Sequence, residues 1–424
     1  MTERSIKNFI SLATTPNRKI ALSVAEAGLE AINSKNVVLN SIKLVNDTFY
    51  IQNNSFDLTK FKRIKVVGFG KASTDAAEAL EKILGDKINE GAVIGLHKTN
   101  TNHIETFAGT HPRPSEVNLA AGERIYDLVK NSTQEDLIIV LVSGGGSALL
   151  CYSENECKQG IELYDSFLKS GKTIKEINTV RKHLSLLKGG GLAKLAYPAT
   201  VVGLIFSDIP GDDFSDVASG PTYKDITTVV DAEKIITENN LGSFELIETT
   251  KEDKYFENVH NFILVSNKIA IQAMAKKGEE LGLPTKVVSM ELYDEVGVAL
   301  EKIFSAKENG TLVLAAGEPK VSVPKNAGKG GRNLHMGLTA VQRKLIDEDS
   351  VFISFASDGM DNSDVAGAIV DQKTLEEVEK QNLNVEDYFN RFDSLAFFDK
   401  TDGMIITGPT GANVSDLMIL FTKK

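Results

Sequence analysis

The sequence predicts an α/β protein built on mostly parallel sheets and divided into more than one domain. Three observations carry that reading. Leu137-Ile138-Ile139-Val140-Leu141-Val142 is an unbroken apolar run rich in β-branched residues, the pattern of a strand buried on both faces. Ser143-Gly144-Gly145-Gly146-Ser147 follows it and opens an apolar, helix-like segment, and residues 64–73 repeat the same strand, glycine, helix order. A chain of 424 residues also exceeds one ordinary core, so two or three domains are expected.

Taken in order, residues 17–34 carry Ile20, Val24, Ala27, Leu29 and Ile32 among charges, a helical pattern. The strand that ends at Gly68-Phe69-Gly70-Lys71 fits neither familiar nucleotide motif. A Walker loop needs Gly-Lys-Ser/Thr, but Ala72 follows Lys71, and Gly171-Lys172-Thr173 has Ser166 where the first glycine belongs. A dinucleotide fingerprint fails at its third small position, Ser73. Lys71 at a strand end suits a phosphate or carboxylate better than a nicotinamide. In the loop Gly109-Thr110-His111-Pro112-Arg113-Pro114, His111 and Arg113 either face a ligand or decorate the surface.

The glycine triplet Gly144-Gly145-Gly146, flanked by Ser143 and Ser147, removes side chains where a ligand can lie against main-chain N–H groups. A helix beginning there is expected to attract an anion. Residues 171–191 predict an amphipathic helix: Ile177, Val180, Leu184 and Leu187 share one face, and Asn178, Arg181, Lys182, Ser185 and Lys188 the other. That second face is almost wholly basic in an acidic chain, which suits an anionic ligand. The strand at 199–206 delivers Ser207-Asp208-Ile209-Pro210-Gly211-Asp212. Aspartates at a strand's C-terminal edge would hold Mg²⁺ beside phosphate oxygens, so Asp208 and Asp212 are the candidate metal ligands.

Residues 224–258 are polar and helical without motifs, and the domains are expected to change there, as 1–235 and 236–424. A new strand–helix series starts at Phe262, with strands near 286–290, 311–316 and 351–356. Their ends offer Glu318, Arg332 and Asn333 after a glycine-rich basic loop, then Asp358, and finally Asn413.

Composition narrows the function classes. Apolar content of 42% and charge content of 25% are those of a soluble globular chain. The formal net charge of −11 argues against nucleic-acid binding. No apolar run approaches a membrane span, and the first residues lack a signal-peptide core, so a cytoplasmic protein is expected. Cys151 and Cys157 fit neither a disulfide framework nor a metal motif and read as packing residues in a reducing compartment. Six scattered histidines make a zinc site unexpected.

With these residues in view, the chain resembles the class II glycerate kinases, the glycerate 2-kinase family, whose C-terminal portion is the MOFRL family. The resemblance runs from Gly68-Phe69-Gly70-Lys71-Ala72 to Thr407-Gly408-Pro409-Thr410-Gly411-Ala412-Asn413-Val414. Its most specific blocks are Ser143 to Leu150, Glu176 to Ser185, Ser207 to Asp212, Ala218 to Thr222, Gly330 to Asn333 and Ala366 to Asp371. It implies two Rossmann-like α/β/α domains with an interdomain cleft, and ATP- and Mg²⁺-dependent phosphorylation of the 2-hydroxyl of D-glycerate. It further implies catalytic roles for Lys71, Arg332 and Asp208. The binding surface would be Ser143, Gly144, Gly145, Gly146 and Ser147 with Asn178, Arg181, Lys182, Glu318, Asn333, Asp358 and Asn413. Small-molecule partners are expected, with no nucleic acid and no membrane; a homodimer is compatible with the sequence. Gly191 stands where the family commonly has arginine, and Arg113 where a small or apolar residue is commoner, which bears on the choice of hydroxy acid. The rival readings are an NAD(P)-dependent hydroxypyruvate reductase, a kinase for a related 2-hydroxy acid, and a non-catalytic metabolite sensor.

Overall fold

A computed structural model describes residues 4–170, 174–207 and 214–424. The chain forms two compact units, Ser34–Val265 and the pair of segments Met1–Asn33 and Ser266–Lys424. This differs from the expected division at 235/236 for a topological reason. The strand Val259–Val265 completes the first unit's sheet, so the chain cannot leave that unit earlier.

In Ser34–Val265 three short strands, β1 (Ile42–Val45), β2 (Thr48–Ile51) and β3 (Asn54–Asp57), make an antiparallel meander. The main sheet comprises β4 (Arg63–Phe69), β5 (Glu90–Gly95), β6 (Ile104–Ala108), β7 (Asp136–Ser143), β8 (Thr200–Phe206) and β9 (Val259–Val265). All neighbours are parallel, in the order β6-β5-β4-β7-β8-β9. Strand β7 is buried over its whole length, as its apolar run requires. Ile138, Val140 and Val142 pack with Ala121, Ile125 and Leu128, and Leu137, Ile139 and Leu141 on the opposite face are equally buried. The order runs outward in both directions from β4 and β7, so the winding reverses between them. Loops beyond the C-terminal ends of two such strands diverge and leave a crevice, where open α/β sheets bind ligands. Here those loops carry Gly70-Lys71 and Gly144 to Ser147.

The second unit holds β10 (Thr285–Ser289), β11 (Leu312–Gly317), β12 (Ser350–Ala356), β13 (Gly367–Val370), β14 (Met404–Ile405) and β15 (Asp416–Thr422), in the order β10-β11-β15-β12-β13-β14. Only β10 and β11 are parallel; every other pairing is antiparallel, so this sheet departs from the mostly parallel one expected. Strand β15 lies between β11 and β12 and runs against both. Its first residue, Asp416, therefore sits beside Gly317 and Ala356, the last residues of those strands. The N-terminal helix Pro16–Ile32 belongs here because Arg18, fully buried, forks onto Asp371 with two hydrogen bonds of 2.7 Å.

Cys151 and Cys157, expected as packing residues, form a disulfide, with Cα atoms 5.5 Å apart. The turn into the Glu154–Ser170 helix doubles the chain back and brings two residues six apart within bridging reach. Among the described residues no helix is long and apolar enough to cross a membrane.

Candidate active site

At the crevice of the first unit the two strand-end loops are sewn together. The main-chain N–H of Lys71 donates to Gly144 O at 2.9 Å, and Ala72 N–H donates to Ser143 Oγ at 3.1 Å. Ser143 Oγ also meets Ser73 Oγ at 3.0 Å. Gly70 makes this approach possible: a Cβ there would lie 2.1 Å from Ser143 Oγ. Ser143 is thus a buried staple between loops, not an exposed contact.

Gly145, at φ +78°, presents its bare face to two side chains. A Cβ on it would be 3.1 Å from Nε2 and Cδ2 of His111 and from Cγ of Lys71. His111 therefore faces the site, while Arg113 is turned outward, paired with Asp165 at 2.6 Å and lying over the Tyr164 ring. Crowding by surrounding protein, then the charges of Lys71 and Arg181, pull the His111 imidazole down to about 4. The helix after the loop, Gly146–Leu149, is a single turn. The anion-attracting helix end expected here is accordingly replaced by side-chain cations.

Those cations are fewer than the sequence pattern promised. The helix Ile174–Lys182 ends before Ser185 and Lys188, and two of the expected cations are neutralised inside the protein. Lys182 pairs with Asp216 at 2.7 Å and Asp225 at 3.3 Å, and Lys188 with Glu156 at 2.5 Å. Arg181 is the exception. Among the described residues its guanidinium meets no carboxylate, and burial lowers it to about 10, still charged at neutral pH. It is steadied by a polar chain: Arg181 Nη1 donates to Asn178 Oδ1 at 3.4 Å, Ser219 Oγ to the same oxygen at 3.4 Å, and Ser147 Oγ meets Ser219 Oγ at 2.8 Å. The second triplet, Gly189-Gly190-Gly191, is a packed turn in which Gly190, at φ +82°, caps the Gly191–Ala196 helix. Asp208 and Asp212 lie outside the described residues.

The second unit builds its own cationic centre. The loop ending at Gly331 leads into the helix Arg332–Gln342. Arg332 Nε donates to Asp416, and Nη1 lies 3.6 Å from Glu318. A cavity of about 240 Å³ is lined by Glu318, Arg332, Asp358, Asp361, Asn413 and Asp416, so four expected residues converge there. Asn333 does not line it. It is buried beneath, its Nδ2 donating to Asp361 at 3.2 Å and its Oδ1 accepting from Ser354 at 2.6 Å. Burial opposes the Arg332 charge, but Asp416 and Glu318 outweigh it and the net shift is upward. Burial drives Asp416 up to about 7 against the pull of Arg332, and it raises Asp361 as well.

Sequence reasoning missed Asp361 and Asp416. Asp416 becomes visible only once β15 is known to lie antiparallel between β11 and β12. Each carboxylate has partners within the protein: Asp361 accepts from the N–H groups of Asn333 and Leu334, and Asp416 from Arg332. Among the described residues no group of three or more His, Cys, Asp or Glu could hold a metal ion.

Residues 20–249 match a family described as a domain of unknown function, DUF4147, and residues 311–416 match the MOFRL family. A glycerate 2-kinase from Pyrococcus horikoshii is 33% identical over 95% of this chain and 96% of its own. The chain belongs to the glycerate 2-kinase family. A second glycerate 2-kinase, from Picrophilus torridus, is 32% identical over 98% of each chain. The crystal structure of a glycerate kinase from Thermotoga maritima shares the fold with a TM-score of 0.84 at 30% identity, covering 95% of this chain and 99% of that one. Membership of the glycerate 2-kinase family gives the two cationic centres a common chemical context, the handling of anions.

Proposed function

We propose that this protein transfers the γ-phosphoryl group of ATP to the 2-hydroxyl of D-glycerate, giving 2-phosphoglycerate and ADP. The observation that carries this reading is Arg181, a guanidinium without a carboxylate partner among the described residues, whose charge acts together with that of Lys71 on His111. A buried cation with no counter-charge among the described residues, in a chain of net charge −11, suits an anionic ligand.

Arg181 takes the carboxylate of glycerate, and Lys71 neutralises charge on the transferred phosphoryl group. Arg332 serves the phosphates of ATP. Phosphoryl transfer asks for positioning and charge neutralisation rather than covalent catalysis, which these cations supply. Mg²⁺ enters this reading with ATP, whose phosphate oxygens would share it with Asp208 and Asp212. A cytoplasmic setting, where ATP is available, belongs to the same reading.

The test is ADP release with ATP, Mg²⁺ and D-glycerate, with the product coupled to enolase in the absence of a phosphoglycerate mutase. Signal in both assays is expected. ADP release without an enolase signal would move the attack to the 3-hydroxyl. Silence in both, or NADH oxidation with hydroxypyruvate, would overturn the kinase reading.

A further inference from the structure

We propose that His111 accepts the proton of the attacking substrate hydroxyl, holding that hydroxyl over the bare face of Gly145 between Lys71 and Arg181. The inference rests on the kinase reading above and names the base within it.

Three observations converge on His111. Its Nε2 and Cγ of Lys71 each lie 3.1 Å from where a Cβ on Gly145 would stand, so imidazole and lysine meet over that glycine. Its imidazole makes no hydrogen bond to any other described residue. His97 and His103, by contrast, meet Asp75 and Asp86, and His183 is tied to Ile247 O and Thr227. Among the described residues the nearby carboxylates are committed: Glu156 to Lys188, Asp165 to Arg113, and Asp216 and Asp225 to Lys182. Among the described residues at this crevice His111 is the uncommitted base.

Charge supports the geometry. Burial first, and then the charges of Lys71 and Arg181, both cations, keep the ring neutral at physiological pH. A neutral imidazole in a cationic pocket can accept a proton, and an anionic substrate entering beside it raises its basicity toward a useful range. In the step, the hydroxyl oxygen forms a bond to the γ-phosphorus and the bond from that phosphorus to the β–γ bridging oxygen breaks, its electron pair leaving with ADP. The hydroxyl proton passes to Nε2 of His111 and from there to solvent. Atoms and charge balance with the release of one proton per turnover.

The experiment compares His111→Gln, His111→Ala and Asp208→Asn with the wild type, after each has been shown to melt at the wild-type temperature. For both His111 variants we expect kcat lower by about 10²-fold, the usual worth of a positioned base, with KM for ATP unchanged. Gln should restore D-glycerate affinity by calorimetry relative to Ala, because it keeps a hydrogen bond, without restoring kcat. The acid limb of kcat/KM should vanish in His111→Gln, a change that a merely structural side chain would not produce. If both His111 variants stay within about threefold of wild-type kcat while Asp208→Asn collapses, the base is Asp208 and the proposal is wrong. A wild type that releases no ADP is a different outcome; it removes the kinase reading and this proposal with it.

Discussion

Arg332 and Asp416 are joined by a hydrogen bond from the guanidinium Nε, at the point where β15 begins between the ends of β11 and β12. One side chain is the cation proposed to meet phosphate, the other a buried carboxylate lifted to about 7. The carboxylate both aims the guanidinium and, when ionised, opposes the ligand's charge. Phosphate binding therefore favours protonated Asp416, and ATP should bind about tenfold more tightly at pH 6 than at pH 8, a one-unit shift being tenfold. In Asp416→Asn that dependence should be lost, and subtracting the two profiles cancels the titration of ATP itself. Arg332→Ala should lower kcat by about 10²-fold, as for loss of a strong transition-state contact. Arg332→Lys should not rescue it, since a lysine cannot address Asp416 and Glu318 with separate nitrogens.

Adjacent residues Arg181 and Lys182 have opposite assignments, which gives a clean contrast. Lys182 is buried between Asp216 and Asp225, so Lys182→Ala leaves two carboxylates without their cation. It should cost about 3–5 kcal/mol of stability, the range for breaking a buried pair. Arg181→Ala removes no such partner. It should leave the melting temperature nearly unchanged and raise KM for D-glycerate. The reverse pattern, an unstable Arg181→Ala and a stable but inactive Lys182→Ala, would exchange the two roles.

Gly145→Ala tests the bare face. At φ +78° an alanine costs about 1–2 kcal/mol in the left-handed region. Its methyl would also stand 3.1 Å from His111 and Lys71, where a substrate is proposed to lie. Steady-state kinetics should show a loss beyond tenfold in kcat/KM, while the modest destabilisation leaves the protein folded at assay temperature. Activity near wild type would mean that the substrate does not use this face.

How much of this could be read from the chain alone differs between its two halves. A strand buried on both faces writes itself as an unbroken apolar run, so β4, β7 and β8 were legible, and with them the loops carrying Lys71 and Gly145. Pairing direction leaves no such mark: the apolar run of β15 is the same whether it lies parallel or antiparallel, and Asp416 stayed hidden with it. The basic face of residues 174–188 misled for a related reason. Its spacing was visible, but Asp216, Asp225 and Glu156 come from distant segments, and only the fold shows that they consume Lys182 and Lys188 and leave Arg181.

His335 offers a pH test that does not involve the reaction. Its ring stacks on Phe392 at 4.5 Å and 4°, its Nδ1 is buried without a partner, and burial lowers it to about 4. An unfolded histidine titrates near 6.5, so between these values the unfolded chain binds the extra proton. Stability is full above about pH 6.5 and falls as pH drops toward 4, by about 1.4 kcal/mol per unit from this group. His111, lowered in the same sense, adds to the slope. Chemical denaturation at pH 7 and pH 5 should show His335→Phe, which keeps the stacking and removes the unpaired nitrogen, to be less acid-sensitive than wild type.

The Cys151–Cys157 bridge should matter little to either fold or turnover, because it closes a loop of only six residues. Chain-entropy reasoning gives such a short loop about 2 kcal/mol. The segment is also held without it: Lys188 Nζ donates to Leu150 O at 2.7 Å and to Glu156, and Tyr152 N–H donates to Glu156 at 3.0 Å. Reduction, or Cys157→Ser, should therefore lower the melting temperature by about 4–8 °C, taking ~2–4 °C per kcal/mol for a domain of this size, and leave kcat within about twofold. Cys151 lies only four residues after Ser147, so a large loss of kcat on reduction, with the melting shift as expected, would have one meaning. The bridge, and not the Lys188–Glu156 pair, would then be what holds the Ser147 loop against Arg181.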